Sequence, residues 1–291
     1  MSASSPQVSV VIPARNAAAT LEVQLEALSR QRTSRAFEVL VADNGSTDGT
    51  RQVAARFADR VPGLRVVDAS ARTGANAARN IGTRASRGEL VLLCDADDEV
   101  DDLWVDALSA ALETADAAGG ALELTRLNAD YVRRWGPSPV DAGIARPLGF
   151  LPRPVGANAA FRREAFDRLG GFDEEYVRGG TETEFFWRLQ LAGLTLVPAP
   201  EAVVHYRMRS SFRALVRQMY IWGRQHPMLF RDFHDQGLKR DILGSARHWA
   251  RLAILLARVR HGRWHLLNFC RKSAYRVGRL VGSAQYRVFF P

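Results

Sequence analysis

The sequence predicts an α/β fold, a mostly parallel central sheet flanked by helices, with a helical and basic C-terminal extension. Three observations predict it. Short apolar runs alternate with stretches of helical periodicity through the first hundred residues, the pattern of right-handed βαβ units. The polar segments that follow those runs would gather on one rim of the sheet, where ligands bind in open α/β folds. Beyond about residue 210 the chain turns helical and arginine-rich, with no proline between Pro227 and the terminus.

The elements follow in order. Gln7-Val8-Ser9-Val10-Val11-Ile12-Pro13 is a β-branched strand stopped by proline, and Leu21, Leu25 and Leu28 mark a helix over Ala17 to Arg30. Phe37 to Ala42 is a second strand, running into the turn-forming Asp43-Asn44-Gly45-Ser46-Thr47-Asp48-Gly49-Thr50. A helix from Thr50 to Ala58, a strand from Leu64 to Val67, a turn over Arg72 to Asn76 and a helix to about Ala85 come next. Leu90 to Cys94 is a strand apolar throughout, as burial on both faces requires. An alanine-rich helix is expected from Val105 to Ala118, and strands of a less regular half between Leu122 and Val132. Pro137, Pro139, Pro147, Pro152 and Pro154 make the next stretch loop-rich. Helices are then expected over Arg162 to Leu169, closed by Gly170-Gly171, and Thr181 to Ala192, closed by Gly193, before a strand from Leu194 to Pro198.

With 291 residues, 47% of them hydrophobic, the chain has ample material for a buried core. Cys94 and Cys270 have neither metal-ligand spacing nor a secretory disulfide pattern, and the polar start has no signal-peptide character, so a cytoplasmic protein is expected. The net charge of +9 is not spread along the chain: Asp241 to Pro291 carries ten Lys/Arg against one acid, while residues 1 to 240 are balanced. Nucleic acid is therefore not the expected partner. Trp249, Trp264, Phe269, Tyr275, Tyr286, Phe289 and Phe290 interleave with these arginines, and the longest apolar run there, Leu252 to Ala257, is too short to span a bilayer. Two readings stand: amphipathic helices drawn to the anionic inner face of the plasma membrane, or helices packed back on the domain.

Leu90 to Cys94 ends in Asp95-Ala96-Asp97-Asp98. Three carboxylates at a strand end repel unless a cation bridges them, and hard oxygen ligands suit Mn²⁺ or Mg²⁺, which in turn hold phosphates. Helix capping by Asp97 or Asp98 is the plainer reading of the same residues.

Taken together, Pro13-Ala14-Arg15-Asn16, Asp43-Asn44-Gly45-Ser46, Arg79-Asn80, Asp95-Ala96-Asp97-Asp98, Gly179 to Glu184 and His205 resemble, in order and spacing, the family 2 glycosyltransferases of the GT-A fold, a Rossmann-like architecture. The resemblance covers roughly residues 8 to 210. It implies an inverting transfer of a sugar from a nucleotide-diphosphate donor to an acceptor hydroxyl. Donor contacts would come from Pro13, Arg15, Asn16, Asp43, Asn44, Ser46, Arg79, Asp95 and Ala96, and the metal would be held by Asp97 and His205. The general base would be Glu182, standing where many members have aspartate; Glu184, by contrast, is accounted for by a Thr181-x-x-Glu184 capping box and by Arg188 four residues on. Arg15 replaces a common tyrosine and Asn44 the second of two aspartates. Asp43 and Asn44 could meet the hydrogen-bonding edge of uracil or thymine, which favours UDP- or dTDP-sugars and leaves GDP-sugars open.

Trp135, Phe186 and Trp187 are candidate sugar-stacking faces, Gly156-Ala157-Asn158 a backbone border of the sugar site ahead of a helix, and Arg207 and Arg209 a diphosphate clamp. The resulting division is a catalytic domain over 1–210, with a nucleotide half to about 100 and an acceptor half beyond it, and an extension over 211–291. The acceptor expected from the basic tail is a glycan or lipid-linked hydroxyl of the cell envelope. A nucleotidyltransferase, a binding module built on the tail, or an inactive relative are the alternatives; the first lacks its glycine-rich loop after Ile12-Pro13.

Overall fold

A computed structural model describes residues 5–135 and 143–291. The first part alternates as expected: β1 (Val8–Ala14), α1 (Leu21–Ser29), β2 (Phe37–Asp43), α2 (Thr50–Ala55), β3 (Arg65–Asp68), α3 (Ala75–Ala85) and β4 (Leu90–Cys94). There follow β5 (Glu99–Val100), α4 (Trp104–Ala111), β6 (Ala117–Glu123), α5 (Asp130–Trp135), β7 (Ile144–Ala145), β8 (Arg153–Pro154), β9 (Asn158–Arg162), α6 (Arg163–Leu169), α7 (Thr181–Leu191) and β10 (Leu196–His205). The extension is α8 (Phe212–Phe233), α9 (Ile242–Arg258) and α10 (Arg263–Gln285). Pro137 and Pro139 lie outside the described residues, as does the side chain of Trp135.

Eight strands form one sheet in the order β3-β2-β1-β4-β9-β6-β10-β5. Pairing is parallel from β3 to β4 and between β6 and β10, and antiparallel where β9 and β5 join. Register sets Ala14 beside Asp43 and ends β4 at Cys94, so the loops after β1, β2 and β4 share one rim. Both faces are covered. Val10, Ile12 and Leu92 pack with α1 and α4 on one face, Val11, Val91 and Leu93 with Phe161, Phe166 and Phe185 on the other.

Three expectations for the second half are corrected. Ala117 to Glu123 is a strand, not the end of a helix followed by strands to Val132, and Asp130–Trp135 is helical. Alanine and glycine look helical or loose by propensity, but β6 pairs with β9 and β10, and a Cβ on Gly119 would come 2.6 Å from Pro154 of β8 and one on Gly120 2.2 Å from the Ala202 carbonyl oxygen. Asn158 opens strand β9 directly. Its side chain accepts from Trp104 Nε1 at 2.8 Å and donates to Ala121 and Ala202 carbonyls, each at 2.8 Å, tying three segments together. β10 runs on past Pro198 and Pro200 because a register irregularity between Ala199 and Val203 absorbs the missing donor.

The extension is joined to the rest of the fold by a common core. Met228, Leu229, Phe230 and Phe233 of α8 pack with Tyr176, Trp187 and Phe290, and Phe230 stacks on Phe290 with centroids 4.8 Å apart. Helices α8 and α10 touch backbone to backbone: a Cβ on Gly278 would lie 2.2 Å from the Tyr220 carbonyl oxygen, and one on Gly223 2.0 Å from that of Tyr275. Helix α9 is different. Only Ser245 and Leu252 are buried, while Ile242, Leu243, Trp249, Ile254 and Leu256 are exposed. Among the described residues, no helix is long and apolar enough to cross a membrane.

Candidate functional site

Two cavities meet at the acidic tip of β4. The first, about 670 Å³, is lined by Pro13, Arg15, Asn16 and Asn44 from the β1 and β2 ends, by Asp95, Ala96 and Asp97, and by Arg207 and Arg209. The second, about 460 Å³, holds Arg79, Asp95, Arg153, Gly156 and Glu182, with Trp222 and His226 reaching in from α8. Asp95 and Arg209 border both.

Asp95, Asp97 and Asp98 each bring a carboxylate oxygen within 4.8 Å of the others. Burial, with Asp97 and Glu182 nearby, pushes Asp95 up to about 6 against the pull of Arg79 and Arg209. Burial and the Asp95 and Asp97 carboxylates raise Asp98 well above the usual range. Asp98 Oδ1 accepts from the Arg207 backbone N–H at 2.7 Å, but its Oδ2 is buried with no hydrogen-bond partner. An orphaned buried oxygen in a cluster of acids fits a divalent cation in chemistry and in charge. Arg209 Nη1 stands 3.1 Å from Asp97 Oδ2 and meets part of that charge.

His205, expected beside Asp97, is not among the three acids that lie together. Its Nδ1 is 2.8 Å from Glu123 Oε2 and its Nε2 3.3 Å from Arg126 Nη1, so both ring nitrogens are engaged at the β10–β6 border. Strand pairing explains this, since His205 registers with Glu123 and with Glu99.

Asp43, Asn44 and Ser46 also differ from expectation. Asp43 is fully buried, with Oδ2 2.5 Å from Arg51 Nε and Oδ1 accepting from the Ser46 N–H at 3.2 Å. Asn44 donates to the Ala69 and Arg72 carbonyls at 2.5 and 2.8 Å and accepts from the Gly74 N–H at 2.9 Å. Its amide is spent on shaping the loop before α3, leaving little for a base edge. Ser46 accepts from the Asn16 N–H at 2.9 Å, and Asn16, at φ +52°, is locked to Thr47. Of these residues, Asn16 and Asn44 line the first cavity. Arg15 is exposed on it.

Arg79 lines the second cavity. It is 4% exposed, with Nη2 3.7 Å from Asp95 Oδ1 and Nη1 donating to Thr181 Oγ1 at 3.2 Å. Gly156 makes room for it: a Cβ there would come 2.7 Å from Arg79 Nη2. Glu182 has a partner that sequence reasoning missed, Arg153, whose Nη1 is 3.1 Å from Oε1; Thr181 Oγ1 donates to Oε2 at 2.6 Å. Burial alone would raise Glu182, but Arg153, Arg79 and Thr181 together hold it below the ordinary glutamate value. The expected capping box does not form, because Gly180 is the N-cap and Thr181 turns to Glu182; the Glu184–Arg188 pair does form. Phe186 and Trp187 are fully buried core residues, not sugar faces. A lone arginine among prolines was the only signal for Arg153, and nothing in the local sequence marks Trp222 or His226.

The profile described as Glycosyl transferase family 2 matches residues 9–170, more than half of the chain, and that of Glycosyl transferase family group 2 matches residues 90–281. The chain belongs to glycosyl transferase family 2. Among curated relatives of this glycosyltransferase, AglE of Haloferax volcanii is 27% identical over 232 residues, 76% of each chain. The N-acetylglucosaminyl-diphospho-decaprenol L-rhamnosyltransferase of Mycobacterium tuberculosis is 33% identical over 221 residues, 62% of this chain and 70% of that one. The solved mannosyltransferase PcManGT of Pyrobaculum calidifontis, in complex with GDP-Man and Mn²⁺, superposes with a TM-score of 0.60 at 24% identity, covering 96% of this chain and 84% of that one. The fold is thus the GT-A fold of these enzymes, and the general activity is glycosyl transfer.

Proposed function

We propose that this glycosyltransferase moves a sugar, with inversion, from a nucleotide-diphosphate sugar in the first cavity to a hydroxyl of a lipid-linked acceptor in the second. The observation that supports the reading is the position of Asp95 and Glu182 on one cavity wall, with Asp95 and Asp97 of the acid cluster lining the other cavity. Asp97, with Asp95 and Asp98, would hold Mn²⁺ or Mg²⁺, which when bound stabilises the departing diphosphate as a Lewis acid. Arg15 and Arg209 face the same cavity and supply cationic contacts to phosphate. Glu182, kept ionised by Arg153, accepts the proton of the acceptor hydroxyl.

A pyrimidine preference rested on Asp43 and Asn44; with both side chains committed elsewhere, the nucleotide is left to experiment. The acceptor reading is supported by α9, whose exposed apolar residues are flanked by Arg247, Arg251 and Arg258, a composition that lies in an anionic membrane surface. It agrees with a relative whose name specifies a decaprenol diphosphate acceptor. A peripheral position on the inner membrane face follows from the same reading.

Thermal shift against UDP-, dTDP- and GDP-sugars with and without Mn²⁺, for wild type and Asp97→Ala, tests the donor half. A metal-dependent shift for one nucleotide, lost in the variant, is expected. No shift with any would return the protein to the inactive alternative.

A further inference from the structure

Away from the two cavities at the β4 tip, a third of about 660 Å³ opens between α8, α9 and α10. Lys239, Arg251, Arg271, Lys272, Arg276 and Arg279 line it, against the single carboxylate of Asp241. That carboxylate already caps α9, accepting from the Gly244 N–H at 2.7 Å. Lys239, Arg251 and Lys272 are exposed at the rim; Arg276 and Arg279 form the base at 5% and 7% exposure.

Two guanidiniums buried side by side are costly, and arginine cannot shed its charge at physiological pH. Burial draws both below the ordinary arginine value, which measures how poorly the cleft solvates them. Among the described residues neither is in salt-bridge contact with a carboxylate; Arg276 Nη1 donates to Ser245 Oγ at 3.4 Å and Arg279 is hydrogen-bonded to Tyr275, but Arg279 Nε is buried with no hydrogen-bond partner. The rings of Phe290 and Tyr275 lie 4.2 and 5.7 Å from the guanidiniums of Arg279 and Arg276 and offer only partial compensation. An anion with several oxygens would satisfy them, as arginine forks do phosphate.

Geometry gives that anion a carrier. Ser245, His248, Arg251 and Leu252 of α9 line the cleft, and the opposite side of the same helix carries exposed Ile242, Leu243, Trp249 and Ile254. One hydrogen bond links the walls of the cleft and the second cavity: the Tyr275 hydroxyl lies 2.6 Å from Nδ1 of His226. We propose that this cleft binds the phosphate or diphosphate group of a membrane lipid, held by Arg276 and Arg279. The proposal rests on the reading that the enzyme works at a membrane surface, and extends it to a defined headgroup site.

The test uses the full chain in EDTA, which removes any metal bridge to phosphate at the first cavity, and the Arg15→Gln/Arg209→Gln background, which removes the cationic contacts there. Calorimetric titration with inorganic pyrophosphate should show one remaining site, weakened about tenfold or more on adding Arg279→Gln or the rim change Arg251→Gln/Lys272→Gln, the loss expected for a charge-assisted hydrogen bond. Vesicles of phosphatidylcholine with phosphatidic acid should bind better than phosphatidylserine vesicles of equal charge, and both variants should lose that preference. With Arg15 and Arg209 intact, nucleotide-sugar thermal shifts unchanged in both variants would establish that they fold and that the donor site is separate. Pyrophosphate binding that is absent, or unmoved by either variant, would overturn the site. Pyrophosphate binding without any vesicle preference would overturn the lipid source and leave a soluble phosphate ligand. Failure of the donor assay alone would count against the transferase reading and not against the cleft.

Discussion

Arg153 Nη1 lies 3.1 Å from Glu182 Oε1, and this contact opposes the burial that would otherwise push the carboxylate toward its neutral form. Replacing Arg153 with Met should raise the Glu182 pKa and move the acid limb of the kcat/KM profile to higher pH. Glu182→Gln should lower kcat by about 10²-fold or more with little change in donor binding. A pH profile unmoved in Arg153→Met would show that another group carries the limb.

Arg209 competes with any cation for Asp97, given the 3.1 Å contact between them. In Arg209→Gln, calorimetry without nucleotide should show Mn²⁺ binding tightened by about threefold or more, since a neighbouring positive charge is gone. The KM for the donor should rise, because the same side chain lines the nucleotide cavity. Unchanged Mn²⁺ affinity would mean that the cation and Arg209 occupy different sides of the carboxylate.

His226 is held neutral. Burial, reinforced by Arg279, Arg153 and Arg276, lowers it from 6.5 to about 3. The unfolded chain therefore takes up a proton between those values that the folded chain refuses, so stability is full above pH 6.5 and declines as pH falls toward 3. From pH 7.5 to 5 this one residue should cost about 2 kcal/mol. Urea titrations at the two pH values should show a smaller loss in His226→Asn than in wild type; equal losses would place the pH sensitivity elsewhere.

Gly278 sets the spacing of α8 and α10. A methyl group there would come 2.2 Å from the Tyr220 carbonyl oxygen, so Gly278→Ala must part the helices. A stability loss of about 1–3 kcal/mol is expected by chemical denaturation, as for overpacked cores. Because α8 also carries Trp222 and His226 into the second cavity, activity should fall even in the fraction that stays folded.

What the sequence by itself determined was the architecture of the nucleotide half. β-branched runs between helical periods specify β1 to β4, and their register lays Pro13, Asn44 and Asp95 along one rim. Local pattern suffices there because each strand is followed by the helix that covers it. Partnership between distant segments was decided only by the tertiary structure. Asp43 and Asn44 read as ligands until Arg51 and the 69–74 loop claim them. That His205 stands beside Glu123 follows from strand register. Ala117 and Ala118 read as the end of a helix until β6 pairs with β9 and β10. Glu182 stood out as a base, but the contact that opposes its burial comes from Arg153, nearly thirty residues away along the chain. Hydrogen bonds and ion pairs between segments leave no periodicity in a sequence, so which polar groups remain free for a substrate is known only when the chain has closed on itself.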